Sequence, residues 1–371
     1  MGKLRVAVVG LGFGMQFIPI YQEFTDTECA AICRRDTEKL NECGDRFGVS
    51  KRYSDYGKLL EDPEIDAVHI NSDITSHGWM AIAALKAGKH VASTVAMAMT
   101  QEECEEIVRL EESTGLVYMM METAVYTREF LYFKKLHESG KAGRLQFLRG
   151  SHIQNMSMPG WPDYWYGLPP MYYPTHAVSP LSEILNSPVK TVRCEGSGRI
   201  REEYVKKHGA PFAVESAHLT FAGSDVKGEI TRSLFDTIRQ YRESFDFYGS
   251  EMSFEWEQCV EEKPVIFTGL EDAERVQVPD TDVMLPASIA RFARKHNTAD
   301  QTIASFIQGS DHGGSHPHMV HEFVNAVKEN RRSWISARVG ANWTIAGLFA
   351  HESAMRGGER IEMPEFTQFK R

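Results

Sequence analysis

Leu4-Arg5-Val6-Ala7-Val8-Val9-Gly10-Leu11-Gly12-Phe13-Gly14-Met15 reads as a buried strand that ends in a glycine turn and leads into a helical pattern. Glycines at 10 and 12 permit a tight turn and let backbone amides approach a pyrophosphate, whose charge then sits against the positive end of the following helix. The apolar run before the turn and the helical pattern after it supply the setting in which such a motif signifies a dinucleotide site, with Gly10, Gly12, Phe13 and Gly14 around the phosphates. In G-x-G-x-x-G the third glycine would fall on Met15. Gly14 comes one position early, so the helix is expected to pack on its strand differently.

Downstream of the turn, apolar runs at Cys29–Cys33, Ala67–Ile70, His90–Ser93 and Leu116–Met121 alternate with helical patterns, which predicts a doubly wound parallel sheet of the Rossmann type. Thr100-Gln101-Glu102-Glu103 is a capping-box pattern that opens the helix running to about Glu112. A bridging helix follows near Thr127–Glu138. Beyond it, runs at Gln146–Ile153, Val189–Glu195, Ala213–Phe221, Gly228–Phe235 and Ser244–Phe247 follow one another without helical spacing, the mark of a large, mostly antiparallel sheet in an α+β domain. The fold class is α/β: a dinucleotide-binding Rossmann domain over 1–123 and a substrate-binding and oligomerisation α+β domain over 124–371. The last helical segments, Met319–Asn330 and Trp343–Met355, are expected to pack back onto the body.

The chain has 371 residues, 42% of them hydrophobic and 25% charged, enough for two domains with full cores. A net charge of -10 without a basic block argues against nucleic acid or an anionic membrane as a partner. The first strand begins almost at Met1 and no apolar run reaches spanning length, so the expectation is a cytoplasmic protein. Cys29, Cys33, Cys43, Cys104, Cys194 and Cys259 form no C-x-x-C pair and read as reduced thiols.

In a dinucleotide fold an acidic residue at the end of the second strand holds the adenosine ribose, whereas an arginine accommodates a 2'-phosphate. Here the strand ends Cys33-Arg34-Arg35-Asp36, which leaves the choice between NAD and NADP open.

The glycine turn, the stretch Asp66-Ala67-Val68-His69-Ile70-Asn71-Ser72 with His77, and Ala84-Leu85-Lys86-Ala87-Gly88-Lys89-His90-Val91 resemble the Gfo/Idh/MocA family of NAD(P)-dependent sugar oxidoreductases. The resemblance implies that Asn71, Ser72, His77, Thr94 and Val95 lie at the cofactor. Members of that family carry Glu-Lys-Pro after the Gly-Lys-His-Val strand, with the lysine beside nicotinamide and substrate; this chain reads Thr94-Val95-Ala96, and Val95 moves no proton. A family aspartate four residues before a histidine is Tyr172 here, in Tyr172-Tyr173-Pro174-Thr175-His176. Tyr-Pro-Thr-His is similar to the NAD-dependent α-N-acetylgalactosaminidase branch, as are Met120-Met121-Glu122, Tyr126 with Arg128-Glu129, Tyr241-Arg242 and His312-Gly313-Gly314. That branch's tyrosine and histidine on the first strand of the second domain are His152 and Gln154 here, so its substrate does not carry over.

An imidazole near its reference pKa of about 6.5 accepts the proton of a carbinol while hydride leaves the same carbon, which makes His176 the catalytic candidate; the other reading is a helix cap. Tyr173, three residues earlier, can orient the sugar hydroxyl or relay its proton. Glu122, Tyr126, His152 and Tyr241 are further substrate candidates. Between Asn155 and Thr175 stand six aromatics, including Trp161, Trp165 and Tyr172, against 11% over the chain, and aromatic faces bind the C–H surface of pyranoses. Asp311-His312-Gly313-Gly314-Ser315-His316 has no carboxylate motif that completes a metal site, so no metal is expected and His312 and His316 read as substrate contacts. The expected activity is hydride transfer between nicotinamide and a secondary hydroxyl of a pyranose or glycoside by a homo-oligomer. The alternatives are a redox-neutral NAD-dependent glycosidase and a non-catalytic cofactor sensor.

Overall fold

A computed structural model describes residues 2–157, 161–239, 241–259, 262–294 and 311–370. The chain divides into two compact units, 1–126 with 280–341, and 127–279 with 342–371.

The first unit opens with β1 (Leu4–Val9), a 3-10 turn at Phe13–Gln16 and α1 (Ile18–Glu23). It continues through β2 (Thr27–Cys33), α2 (Thr37–Phe47), β3 (Arg52–Tyr53), α3 (Tyr56–Leu60), β4 (Ala67–Ile70), α4 (His77–Lys86), β5 (His90–Ser93), α5 (Gln101–Thr114) and β6 (Tyr118–Met120). The strands form one six-stranded parallel sheet in the order β3-β2-β1-β4-β5-β6. Its central strands are buried on both faces, which is why they read as continuous apolar runs and not as alternation. The capping box is present: Thr100 Oγ1 accepts from Glu103 N at 3.2 Å, and the Glu103 carboxylate accepts from Met99 N at 3.3 Å, one residue ahead of the expected reciprocal partner.

The second unit contains α6 (Arg128–Glu138), β7 (Leu145–Ile153), α7 (Thr175–Leu185), β8 (Val189–Ser197), α8 (Glu202–His208), β9 (Val214–Phe221), β10 (Lys227–Ser233), β11 (Arg242–Gly249), β12 (Ser253–Glu255), β13 (Val265–Phe267) and β14 (Ala273–Arg275). They build a nine-stranded sheet, antiparallel except where β10 lies parallel to β7. α7 packs on β7, β10 and β11. Gly150 and Gly228 make this approach possible, because a Cβ on Gly150 would stand 2.1 Å from the Ala177 carbonyl oxygen and one on Gly228 would stand 2.7 Å from Leu181. Phe130 and Phe133 of α6 pack on Phe245, Phe247 and Phe254, filling the core at the other half of the sheet.

α9 (His316–Lys328) belongs to the first unit, and the division between units falls inside α10 (Ala337–Met355); β15 (Ile361–Glu362) closes the second sheet beside β8. Residues 280–341, expected with the second domain, therefore group with the first. The cause is the edge of the first sheet: β6 has a free side that needs covering. Met120 N donates to Ile335 O at 3.1 Å and Ser333 Oγ to Tyr118 O at 2.6 Å.

Glu111 of α5 sits in the same place, 3% exposed, accepting from Tyr118 N and Ala337 N. Burial outweighs these amides and pushes its carboxyl up to about 7. A pKa raised in the folded state means a contribution that is complete below the unfolded value near 4.5 and lost as pH climbs through 7. Glu111→Gln is thus expected to leave stability at pH 4.5 little changed and to raise it at pH 8, by about 3 kcal/mol at most. Urea denaturation at the two pH values measures this; an equal effect at both would refute it.

Candidate functional site

In the first unit the loops at the carboxyl ends of β1, β4, β5 and β6 gather around the point where strand order reverses, the place where open parallel sheets bind ligands. Gly10 has φ +85°, and a Cβ there would lie 2.4 Å from the Asn71 carbonyl oxygen, so only glycine permits the β1 and β4 loops to touch. Gly12 is exposed, with open space where a side chain would stand; a phosphate can reach its amide. Gly14 does the work expected of a third glycine one position early: its Cβ would press on Val8 at 3.0 Å and Asn71 at 3.2 Å. Gly14 stands within the 3-10 turn that precedes α1. These features fit a dinucleotide.

Asn71 and Ser72 follow β4, Thr94 and Val95 follow β5, and Glu122 follows β6, all in this unit. His77, at the start of α4, is buried and braces two of the loops: Nδ1 lies 2.8 Å from Ala96 O, and Nε2 lies 3.2 Å from Ser72 O and 3.3 Å from Thr94 Oγ1. Burial lowers its pKa. It supports the loops from below. Arg34, half-buried, and Arg35, exposed, follow β2. Glu122 is wholly buried and accepts from Ala124 N at 2.9 Å.

His312 and His316, read from the sequence as substrate contacts, lie in this first unit beside the glycine turn. Both imidazoles stand edge-on to Phe13 at 5.4 Å, and His316 is 4.7 Å from Phe17. His316 is buried, and desolvation, reinforced by His312 and His69, holds it well below the ordinary imidazole range. The backbone of His312 and Gly313 is left-handed, with φ of 45° and 63°. Tyr126 stacks on His318 at 6.4 Å. All four of these histidine and tyrosine rings belong to the first unit.

In the second unit the polar residues converge at the start of α7. His176 is 4% exposed; its Nδ1 lies 3.0 Å from Glu243 Oε1 and its Nε2 lies 3.1 Å from the Tyr173 hydroxyl. The Tyr241 hydroxyl donates to Glu243 Oε2 at 2.6 Å. A carboxylate accepting at Nδ1 fixes the proton there and leaves Nε2 as the basic nitrogen, in hydrogen-bond contact with the phenol. The helix-cap reading does not hold: α7 begins at Thr175, one residue before His176, and shows no side-chain cap at its N-cap residue, Pro174. His152 is fully buried and backs the cluster, its ring 4.9 Å from His176, 5.2 Å from Tyr241 and 5.7 Å from Tyr173.

Tyr172 and Tyr173 face different partners. Tyr173 joins His176 and Trp165, whereas Tyr172 turns to His351 at 5.3 Å. Trp161 packs on Trp165 at 6.3 Å. Sequence reasoning missed Glu243. Register brings it in: β11 pairs Glu243 with His152, β10 pairs Arg232 with His152, and β9 pairs Glu215 with Arg232, so one polar row crosses four strands on the face that carries α7. Of this group the sequence singled out His152, with Tyr241 one residue ahead of β11.

Residues 4–122 match the Gfo/Idh/MocA family, an oxidoreductase family with an NAD-binding Rossmann fold. The match spans the six strands of the first unit's sheet. Glycosyl hydrolase family 109 protein 1 of Bacteroides thetaiotaomicron is 29% identical over 201 residues, 49% of this chain and 43% of that protein. The alpha-N-acetylgalactosaminidase of Shewanella oneidensis is 29% identical over 206 residues, 50% of this chain and 45% of that protein. The match thus takes in under half the length of either relative. Levoglucosan dehydrogenase, solved with NADH and levoglucosan, shares the fold, with a TM-score of 0.79 over 98% of this chain and 100% of that one at 20% identity.

Proposed function

We propose that this protein is an NAD(P)-dependent oxidoreductase that acts on a secondary hydroxyl of a pyranose sugar or glycoside. The observation that carries the reading is the Glu243–His176–Tyr173 chain in a protein whose other unit has a glycine turn built for a dinucleotide. A bound nicotinamide would supply the hydride chemistry. Gly10, Gly12, Phe13 and Gly14 would hold the phosphates, with Asn71, Ser72, Thr94, Val95 and Glu122 toward the nicotinamide end and His77 beneath. The residues of the second unit handle the proton: His176 Nε2, in contact with the Tyr173 hydroxyl, takes the carbinol proton, and Glu243 balances the imidazolium that forms. Trp161 and Trp165 offer faces for the ring's C–H surface.

A second reading is a redox-neutral glycosidase: oxidation at one sugar carbon acidifies the neighbouring C–H, the aglycone leaves by elimination, water adds, and the hydride is returned. It is favoured by Val95, which stands where the family lysine would be, and by the names of the family 109 relatives. Nitrophenyl glycosides and free sugars, each with and without added NAD and NADP, separate the two. Reduction of added coenzyme in step with substrate supports the dehydrogenase; nitrophenol released without net reduction supports the glycosidase. Silence across the panel leaves the cofactor sensor and overturns both.

Arg34 is proposed to admit the 2'-phosphate as well as to stack on adenine. Arg34→Ala is expected to weaken NADP binding about tenfold more than NAD binding, read by calorimetry. Equal losses would leave stacking alone.

Self-association is proposed through the outer face of the nine-stranded sheet, where Arg149, Arg242, Asp246, Tyr248 and Glu255 border a 320 Å³ cavity. Among the described residues no helix is long and apolar enough to cross a membrane, and a cytoplasmic location is part of the proposal.

A further inference from the structure

Arg232 is the largest charged side chain in the second unit with no exposure at all. It lies on β10 beside His152 of β7, and every hydrogen bond described for its guanidinium goes to a backbone carbonyl: Nε donates to Tyr173 O at 2.5 Å, and Nη1 donates to His152 O at 2.7 Å and Ser233 O at 3.1 Å. The guanidinium carbon also lies 5.0 Å from the centre of the Tyr173 ring. One side chain therefore grips Tyr173 twice, at its carbonyl and at its phenol. A cation taken fully out of water is costly, and this one ties the backbone at Tyr173 to that of β7 and β10 while lying against the Tyr173 ring.

Its strand neighbour completes the grip. Glu215 of β9, opposite Arg232 in the register and also fully buried, accepts from Met171 N at 2.8 Å with one oxygen and faces His351 Nδ1 at 2.6 Å with the other. The six residues from Met171 to His176 are thus fixed near both ends of the turn that precedes α7. The phenol hydroxyl of Tyr173 has two soft torsions between itself and the backbone, so its place depends on how that backbone and ring are held.

We propose that Arg232 is a positioning residue for the reaction, which sets the Tyr173 hydroxyl on His176 Nε2, and that Glu215 steadies the same turn from its other end. This rests on the proposed roles of Tyr173 and His176 as proton handlers. Lysine in place of Arg232 keeps the charge, but its three N–H donors radiate from one nitrogen and lack the planar fork that reaches the carbonyls of Tyr173, His152 and Ser233 while the guanidinium lies against the ring.

The test is made on the full chain carrying 15N-labelled histidine, with His176 signals assigned by their loss in His176→Gln. Tyr173→Phe removes the hydroxyl and gives the His176 ring spectrum that results when this hydrogen bond is gone. Arg232→Lys is expected to shift the His176 ring nitrogens in the same direction as Tyr173→Phe, and the double variant is expected to add nothing further. A wild-type His176 spectrum in Arg232→Lys overturns the proposal. Should Arg232→Lys fail to fold, Glu215→Gln is measured in the same cycle, with a partial shift expected and an unchanged spectrum overturning. On any nitrophenyl glycoside that is turned over, Arg232→Lys should lower kcat roughly a hundredfold with KM within about threefold, and the two losses should not multiply with that of Tyr173→Phe. Because the spectra need no substrate, inactivity of the wild-type protein would count against the enzyme reading and leave this outcome separately legible.

Discussion

His176→Ala is expected to lower turnover by roughly a thousandfold, the scale of a positioned general acid–base, while the dissociation constant for the dinucleotide stays within about twofold of wild type. The proton of a secondary alcohol must leave as hydride leaves its carbon, and water at neutral pH is a poor acceptor for it. Nε2 of His176 is kept basic by a carboxylate at Nδ1 and held 3.1 Å from the phenol. Alanine removes the acceptor and the link between Glu243 and Tyr173 together. The glycine turn and the loops after β4 and β5, proposed to hold the coenzyme, are made by other residues. Stopped-flow absorbance of the nicotinamide, with titration of the same preparation by coenzyme fluorescence, measures both quantities. A variant with full turnover would remove His176 from the chemistry, and one that had also lost the coenzyme would show damage beyond the site.

What the sequence revealed and what it hid follow from the range of the interactions involved. The strand, glycine turn and alternation of the first unit are local patterns, so the parallel sheet, the early Gly14 and the capping box at Thr100 were all legible. Tyr173 and His176 are three residues apart, and their contact across a turn could be foreseen. The row Glu243, His152, Arg232 and Glu215 could not, because it is assembled from four strands whose register no single segment contains. A shift of one residue in any strand would have sent its member to the opposite face. The grouping of residues 280–341 was hidden for a similar reason: their partner is the edge of β6, some two hundred positions earlier in the chain, and helical periodicity says which face of a helix is apolar without saying what covers it. The packing of the His312 and His316 rings on Phe13, some three hundred positions earlier, was hidden in the same way. Aromatic content likewise predicted a cluster between Trp161 and Tyr173 but not that Tyr172 would turn away from it to His351.

Glu243→Gln is expected to cost roughly a hundredfold to ten-thousandfold in kcat with little change in KM, even though it removes no atom from the chain's shape. The carboxylate accepts from two donors at once, the Tyr241 hydroxyl at 2.6 Å and, across 3.0 Å, Nδ1 of His176. An amide has one accepting oxygen and one donating nitrogen. If the oxygen stays with Tyr241, the amide nitrogen faces Nδ1 and favours the tautomer with its proton on Nε2, which can no longer accept the substrate's proton. If the amide turns, His176 keeps its tautomer but Tyr241, whose burial and contact with Glu243 already hold its hydroxyl firmly protonated, loses its acceptor. In neither arrangement does a negative charge remain to balance the imidazolium, so the loss falls on turnover and spares substrate binding. The 15N spectrum of His176 distinguishes the routes: exchange of the protonated nitrogen from Nδ1 to Nε2 marks the first, an unchanged tautomer with reduced kcat the second. Full kcat in Glu243→Gln would mean that the carboxylate merely fills the space beneath the imidazole, and the proton chain would have to be redrawn without it.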